Sequence, residues 1–130
     1  MRRFKFAKLV RDNIVQGIID EGNTPSWRTL SDEDYIYELK KKIVEEANEI
    51  PGINGDDLIK ELADVQEIID SLLNVLTVTK DDLVEAQKKK NEKAGSFKNR
   101  QYIKYVETKD DSEWVKYYLN SPDKYPEVKK

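Results

Sequence analysis

Four carboxylates fall in two short segments with the same internal spacing: Glu46 and Glu49 in VEEANE, and Glu61 and Asp64 in ELAD. On a helix, acids at i and i+3 lie one turn apart and reach a common point. Acids brought together out of water repel, and at least one takes up a proton unless a cation lies among them. A divalent ion resolves that repulsion. The chain has no histidine and no cysteine, so its metal ligands can only be oxygens. Oxygen ligands select a hard ion, Mg²⁺ with Mn²⁺ as a substitute, rather than zinc. Mg²⁺ held by a few carboxylates keeps positions for water and phosphate oxygens.

The helical pattern around these acids separates them from ordinary surface charge. On a helix advancing about 100° per residue from Ile36, the apolar arc runs from Tyr35 at about 260° through Leu39, Ile43, Ala47 and Ile50 to Val44 and Tyr37 at about 80–100°. Glu46 falls inside that arc at about 280°, whereas Glu49 and Lys42 sit at its edge and Glu45 points to the opposite side. From Leu58, the next helix has its arc between Val75 and Ile59, with Glu61 inside at about 300° and Asp64 at the edge at about 240°. A single glutamate in a Glu- and Lys-rich helix is ordinarily a solvated charge. A matched set of four, each pair stepping from inside an apolar arc to its rim, favours a metal site. Both pairs are placed symmetrically about Gly55. A short antiparallel hairpin therefore sets Glu46 against Asp64 and Glu49 against Glu61.

The elements that must position these acids are readable from caps and breakers. Phe4, Phe6 and Leu9 suggest an extended start, and Asp12 can cap a helix to about Glu21 that ends at Gly22. Ser31 and Asp34 form a capping-box pattern for a helix to about Ile50, broken by Pro51, Gly52 and Gly55. Asp56 or Asp57 can cap the third helix, from Asp57 to about Leu76, which carries the strongest apolar periodicity in the chain. Thr79 with Asp82 opens a helix to Lys93, stopped by Gly95, and Ser112 caps a short helix from Glu113 to Leu119. Residues 97–106 contain the β-formers Tyr102, Ile103, Tyr105 and Val106, and could form a small ribbon with the N-terminus. The expected class is mainly α, with at most that ribbon.

At 130 residues, the chain fits one domain, expected over residues 1–120 with a frayed tail over 121–130. Its 23 basic and 26 acidic residues leave a formal charge of −3. That balance gives no reason to expect a nucleic-acid partner, because phosphate backbones attract basic surfaces. Neither a signal peptide nor a membrane helix is visible in the hydropathy pattern, so the expectation is a cytoplasmic protein with no membrane partner.

Glu45-Glu46-x-x-Glu49 followed by Glu61-x-x-Asp64 resembles the EExxE…ExxD signature of the all-α nucleoside triphosphate pyrophosphatases. That MazG-like group includes phosphoribosyl-ATP pyrophosphohydrolase and the all-α dUTPases. Lys8-Leu9-Val10-Arg11-Asp12-Asn13-Ile14 looks like the KLVRDxI start of a short house-cleaning branch of the group. Lys90 to Phe97, with Arg100 after it, looks like that branch's K-x-x-R-x-G-x-F segment. The matches cover about residues 8 to 100 in the expected order.

The resemblance implies an all-α helical bundle that hydrolyses a nucleoside triphosphate between its α- and β-phosphates, giving a monophosphate and pyrophosphate. Mg²⁺ held by Glu46, Glu49, Glu61 and Asp64 would neutralise the phosphates and lower the pKa of a bound water. Glu45 or Glu49 could be the base, and the sequence does not choose between them. Candidate cations for the phosphate chain are Lys42, Arg11, Lys90, Lys93 and Arg100. Asp12 serves equally as a plain N-cap or a substrate-site residue. Trp27, Trp114 and the tyrosines could stack on a base. Phosphoribosyl-ATP hydrolysis on the same metal frame is the enzyme alternative, and a catalytically silent helical interaction module is the alternative of another class. Because this group builds its bundle from more than one chain, a homodimer or homotetramer is expected.

Overall fold

The computed structural model describes residues 1–129, and its secondary structure among them is helical. In chain order the helices are α1 (Ile14–Asp20), α2 (Asp32–Glu49), α3 (Gly55–Val75), α4 (Lys80–Ala94) and α5 (Glu113–Leu119), with a 3₁₀ turn at Ile50–Gly52 between α2 and α3. No helix is long and apolar enough to cross a membrane among the described residues. The chain divides into two units, one from Met1 to Lys93 and one from Ala94 onward.

In the first unit, α2 starts where the Ser31 hydroxyl accepts the Asp34 N–H at 3.3 Å, with Asp32, Glu33 and Asp34 in the first turn. Acids there suit the positive end of the helix dipole. The helix tightens into the 3₁₀ turn at Ile50, and Pro51 prevents it from continuing. α3 begins at Gly55, whose φ of 58° is readily adopted by glycine, so it starts earlier than the aspartates expected to cap it. It ends where Thr77 turns left-handed (φ 57°) and Val78 N–H bonds the Leu73 carbonyl at 2.9 Å. α4 opens on a reciprocal capping box: Thr79 Oγ1 accepts the Asp82 N–H and Asp82 accepts the Thr79 N–H, both at 3.1 Å.

The connection between α2 and α3 is short, and the two helices pack as a hairpin. The buried apolar side chains are Leu39 on α2 and Ile68 on α3, 3% and 6% exposed. On the helical wheel they lie at about 300° and 280°, so both helices bury the same side of their apolar arcs. The opposite side is uncovered: Tyr37 and Val44 on α2 are 65% and 59% exposed, and Ile59 and Leu62 on α3 are 64% and 50% exposed.

Two local features differ from the sequence expectation. α1 is only the seven residues Ile14–Asp20; Asn13 precedes it without a side-chain cap bond, and Asp12 does not cap it. No strand is formed among the described residues; 97–106 is irregular, exposed chain rather than half of a ribbon. A two-stranded ribbon without a third strand or a helix to pack on is marginal at best.

In the second unit, Ser112 caps α5 by accepting the Trp114 N–H at 3.2 Å. Trp114 and Tyr117 meet edge to face with centroids 5.4 Å apart. The chain then turns back, with Tyr125 N–H bonding the Ser121 carbonyl at 2.8 Å, so the Tyr125 ring packs 5.1 Å from Tyr118. The Tyr117 and Tyr125 rings also pack together, with centroids 5.8 Å apart. Within the segment expected to fray, Tyr125 is therefore held by packing, and Lys130 lies outside the described residues.

Candidate metal centre

The side of each apolar arc that turns towards the partner helix is also the side that carries the acids. Glu46 of α2 and Glu61 and Asp64 of α3 converge there, each offering a carboxylate oxygen within 4.8 Å of the others. All three are half-buried. The i, i+3 step from Glu61 to Asp64 places two acids on adjacent turns of α3, and the hairpin brings Glu46 opposite both of them.

The protonation of Glu61 follows from this crowding. Its carboxyl is pushed up from 4.5 to about 7, chiefly by a hydrogen bond with the Glu46 carboxyl, then by burial and by the negative charges of Glu46, Glu49 and Asp64. The Glu61 Oε1 atom is buried and has no hydrogen-bond partner. Buried carboxylate oxygens ordinarily find a donor or a cation, because loss of water around them is costly. The cluster is therefore an all-oxygen donor set with one buried oxygen unmatched, which fits a hard divalent cation.

Two cations of the first unit already touch the cluster. Arg11 Nη2 donates to Asp64 Oδ1 at 2.6 Å, with the two side chains 58% and 42% exposed. Lys42 Nζ lies 3.9 Å from Glu46 Oε1, one helical turn away along α2. The Lys42 pairing is legible in the sequence as an i, i+4 step. Pairing of Arg11 with Asp64 joins residues 53 positions apart, and no local signal could have announced it.

The remaining candidate residues are not gathered into the cluster in the same way. Glu49, the last residue of α2, is exposed at the rim and lies outside the converging trio, although its charge acts on Glu61. Glu45 is exposed on the face expected for it. Asp12 is exposed just before α1, and Lys90 and Lys93 are exposed on α4. Arg100 belongs to the second unit, where its backbone is left-handed (φ 56°) and its N–H bonds the Phe97 carbonyl at 3.1 Å.

No protein-family model, curated protein or solved structure matches the chain.

Proposed function

We propose that this chain is a Mg²⁺-dependent nucleoside triphosphate pyrophosphohydrolase of the all-α, MazG-like kind, cleaving between the α- and β-phosphates. The observation that carries the reading is the convergence of Glu46, Glu61 and Asp64 within 4.8 Å, with a buried Glu61 oxygen left without a partner. Motif order along the chain supports the same reading: KLVRD, then EExxE and ExxD, then the glycine-containing segment ending at Phe97.

In this mechanism Glu46, Glu61 and Asp64 would hold the ion, with Glu49 as the fourth ligand that the resemblance implies. A Mg²⁺ ion, with Mn²⁺ as substitute, supplies phosphate neutralisation and a more acidic bound water. Glu45 or Glu49 accepts the proton of the attacking water at a carboxylate oxygen. Lys42 limits the negative charge on Glu46. Arg11, Lys90 and Lys93 of the first unit are the cations proposed to meet the phosphate chain, with Asp12 beside Arg11 as a further substrate-site residue. The products are a nucleoside monophosphate and pyrophosphate, in a cytoplasmic role of clearing non-canonical or excess nucleotides.

The proposal includes a homodimer or homotetramer. Its support is the uncovered apolar edge formed by Tyr37, Val44, Ile59 and Leu62 on a helix pair that buries only Leu39 and Ile68 among the described residues. An exposed apolar surface of that kind marks an interface, and covering it with a second hairpin completes a four-helix arrangement. Sedimentation at micromolar concentration is expected to show a dimer or tetramer; a stable, active monomer refutes this part.

Pyrophosphate release measured over a panel of canonical, modified and deoxy nucleoside triphosphates, with and without Mg²⁺, tests the activity. Metal-dependent release from at least one substrate is expected. Absence of turnover across the panel, with phosphoribosyl-ATP included, overturns the enzyme reading and leaves the helical interaction module.

A further inference from the structure

Arg11 stands at the junction between the N-terminal segment and α1, where its carbonyl accepts the Ile14 N–H at 3.1 Å. Its backbone is thus tied to the start of the helix, while its side chain reaches across to Asp64 on α3. Contact is through a single oxygen, Oδ1, and the side chain is more than half exposed, so the guanidinium can leave without unpacking a core. Asp64 is also one of the three acids that converge. A guanidinium and a divalent ion drawn to the same carboxylate repel each other, so each weakens the other's hold.

We infer that Arg11 is an exchangeable counter-cation that couples metal loading to substrate capture. It offsets the repulsion among the acids by pairing with Asp64, yields that carboxylate to a divalent ion, and then offers its fork of N–H donors to a phosphate group. The inference rests on the metal reading proposed above. Carboxylate and phosphate present similar acceptor geometry to a guanidinium, so one side chain can serve both. Lys42, at 3.9 Å from Glu46, lacks the short directed bond and is a point charge without a fork. Coupling of this kind is reciprocal: if metal frees Arg11 for the nucleotide, bound nucleotide must tighten the metal by the same factor.

Calorimetric titration separates the possibilities, using Mn²⁺ alone and then an α,β-methylene nucleoside triphosphate at saturating Mn²⁺. The proteins are wild type, R11Q, R11K and E61Q, each first checked by thermal melting. R11Q is expected to bind Mn²⁺ roughly two- to five-fold more tightly than wild type, the range set by loss of an exposed competing ion pair. It should bind the nucleotide about tenfold more weakly, because a charged hydrogen-bond donor is lost. R11K keeps the competing charge but not the fork, so Mn²⁺ affinity near wild type with weakened nucleotide binding is expected; it also carries the test if R11Q folds poorly. Unchanged or weaker Mn²⁺ binding in R11Q, with wild-type binding intact and abolished by E61Q, overturns the exchange and makes Arg11 a plain structural tie. If wild type binds no Mn²⁺, or E61Q binds it equally well, the metal reading itself fails and the exchange fails with it.

Discussion

α2 and α4 look alike as strings. Both open on a cap followed by acids, both contain a run of three lysines, and both mix glutamate with a few aliphatic residues. In three dimensions they differ: α2 packs on α3, buries Leu39 and turns Glu46 into the seam, whereas every residue of α4 is exposed. What separates them is the partner. α3 carries a long apolar face with its own misplaced acids in matching register, and α4 has no packed neighbour of comparable extent among the described residues. A charge run acquires chemistry when a second helix forces it out of water.

The largest expected break in that comparison is Glu61→Gln. It keeps the shape of the side chain but removes the charge that needs a cation, and is expected to lower pyrophosphate release on the order of a hundredfold or more, as loss of electrostatic transition-state stabilisation does. The melting temperature of the metal-free protein should rise, since the carboxyl repelled by three neighbours is gone. Steady-state kinetics and melting measured on one preparation check both. Unchanged activity and melting would make the seam acids as inert as those of α4.

Leu39→Ala attacks the packing that separates the two helices. Leu39 is 97% covered, and truncating such a side chain costs about 2–5 kcal/mol. Urea unfolding is the check. A loss below about 0.5 kcal/mol would mean that the α2–α3 seam is no more consequential than an exposed face.

The pH dependence sharpens the same contrast. The Glu61 carboxyl is raised from 4.5 to about 7, so between those values the folded protein holds a proton that the unfolded chain has released. Stability of the metal-free protein is therefore expected to fall as pH rises through this window and to level off above it. Metal affinity moves the other way, strengthening up to about pH 7 as the competing proton leaves. Unfolding curves and Mn²⁺ titrations at several pH values test the two slopes; a stability that increases across the window contradicts the assignment.

The smallest effect is expected from Glu85→Gln on α4. An exposed surface side chain away from a site changes stability by no more than about 0.5 kcal/mol. Measured beside Leu39→Ala, it gives the baseline of the comparison.

Much of this contrast could be read from residue order. Ser31 with Asp34 and Thr79 with Asp82 marked two helix starts that the structure forms as hydrogen-bonded caps. The angular positions of Glu46 and Glu61 within their apolar arcs anticipated acids on the seam, because side-chain direction on a helix follows from spacing. The start of α1 was misjudged, because Asp12 has a capping side chain but the helix begins after Asn13. Sequence symmetry about Gly55 paired Glu49 with Glu61; Glu49 ends α2 at the exposed rim, outside the converging trio, and its negative charge acts on Glu61. The Arg11–Asp64 pair was invisible because it joins residues 53 positions apart, with no local spacing to announce it. Residues 97–106 carried strand propensity, but ladder partners are a tertiary matter, and none pair with them among the described residues.

The proposed function requires Glu46, Glu61 and Asp64 to hold a divalent ion jointly. Anomalous diffraction at the manganese edge, from crystals grown with millimolar Mn²⁺, tests it most directly. A peak is expected between α2 and α3, with oxygen atoms of all three carboxylates in its coordination shell. No peak, or a peak bound elsewhere, would contradict it.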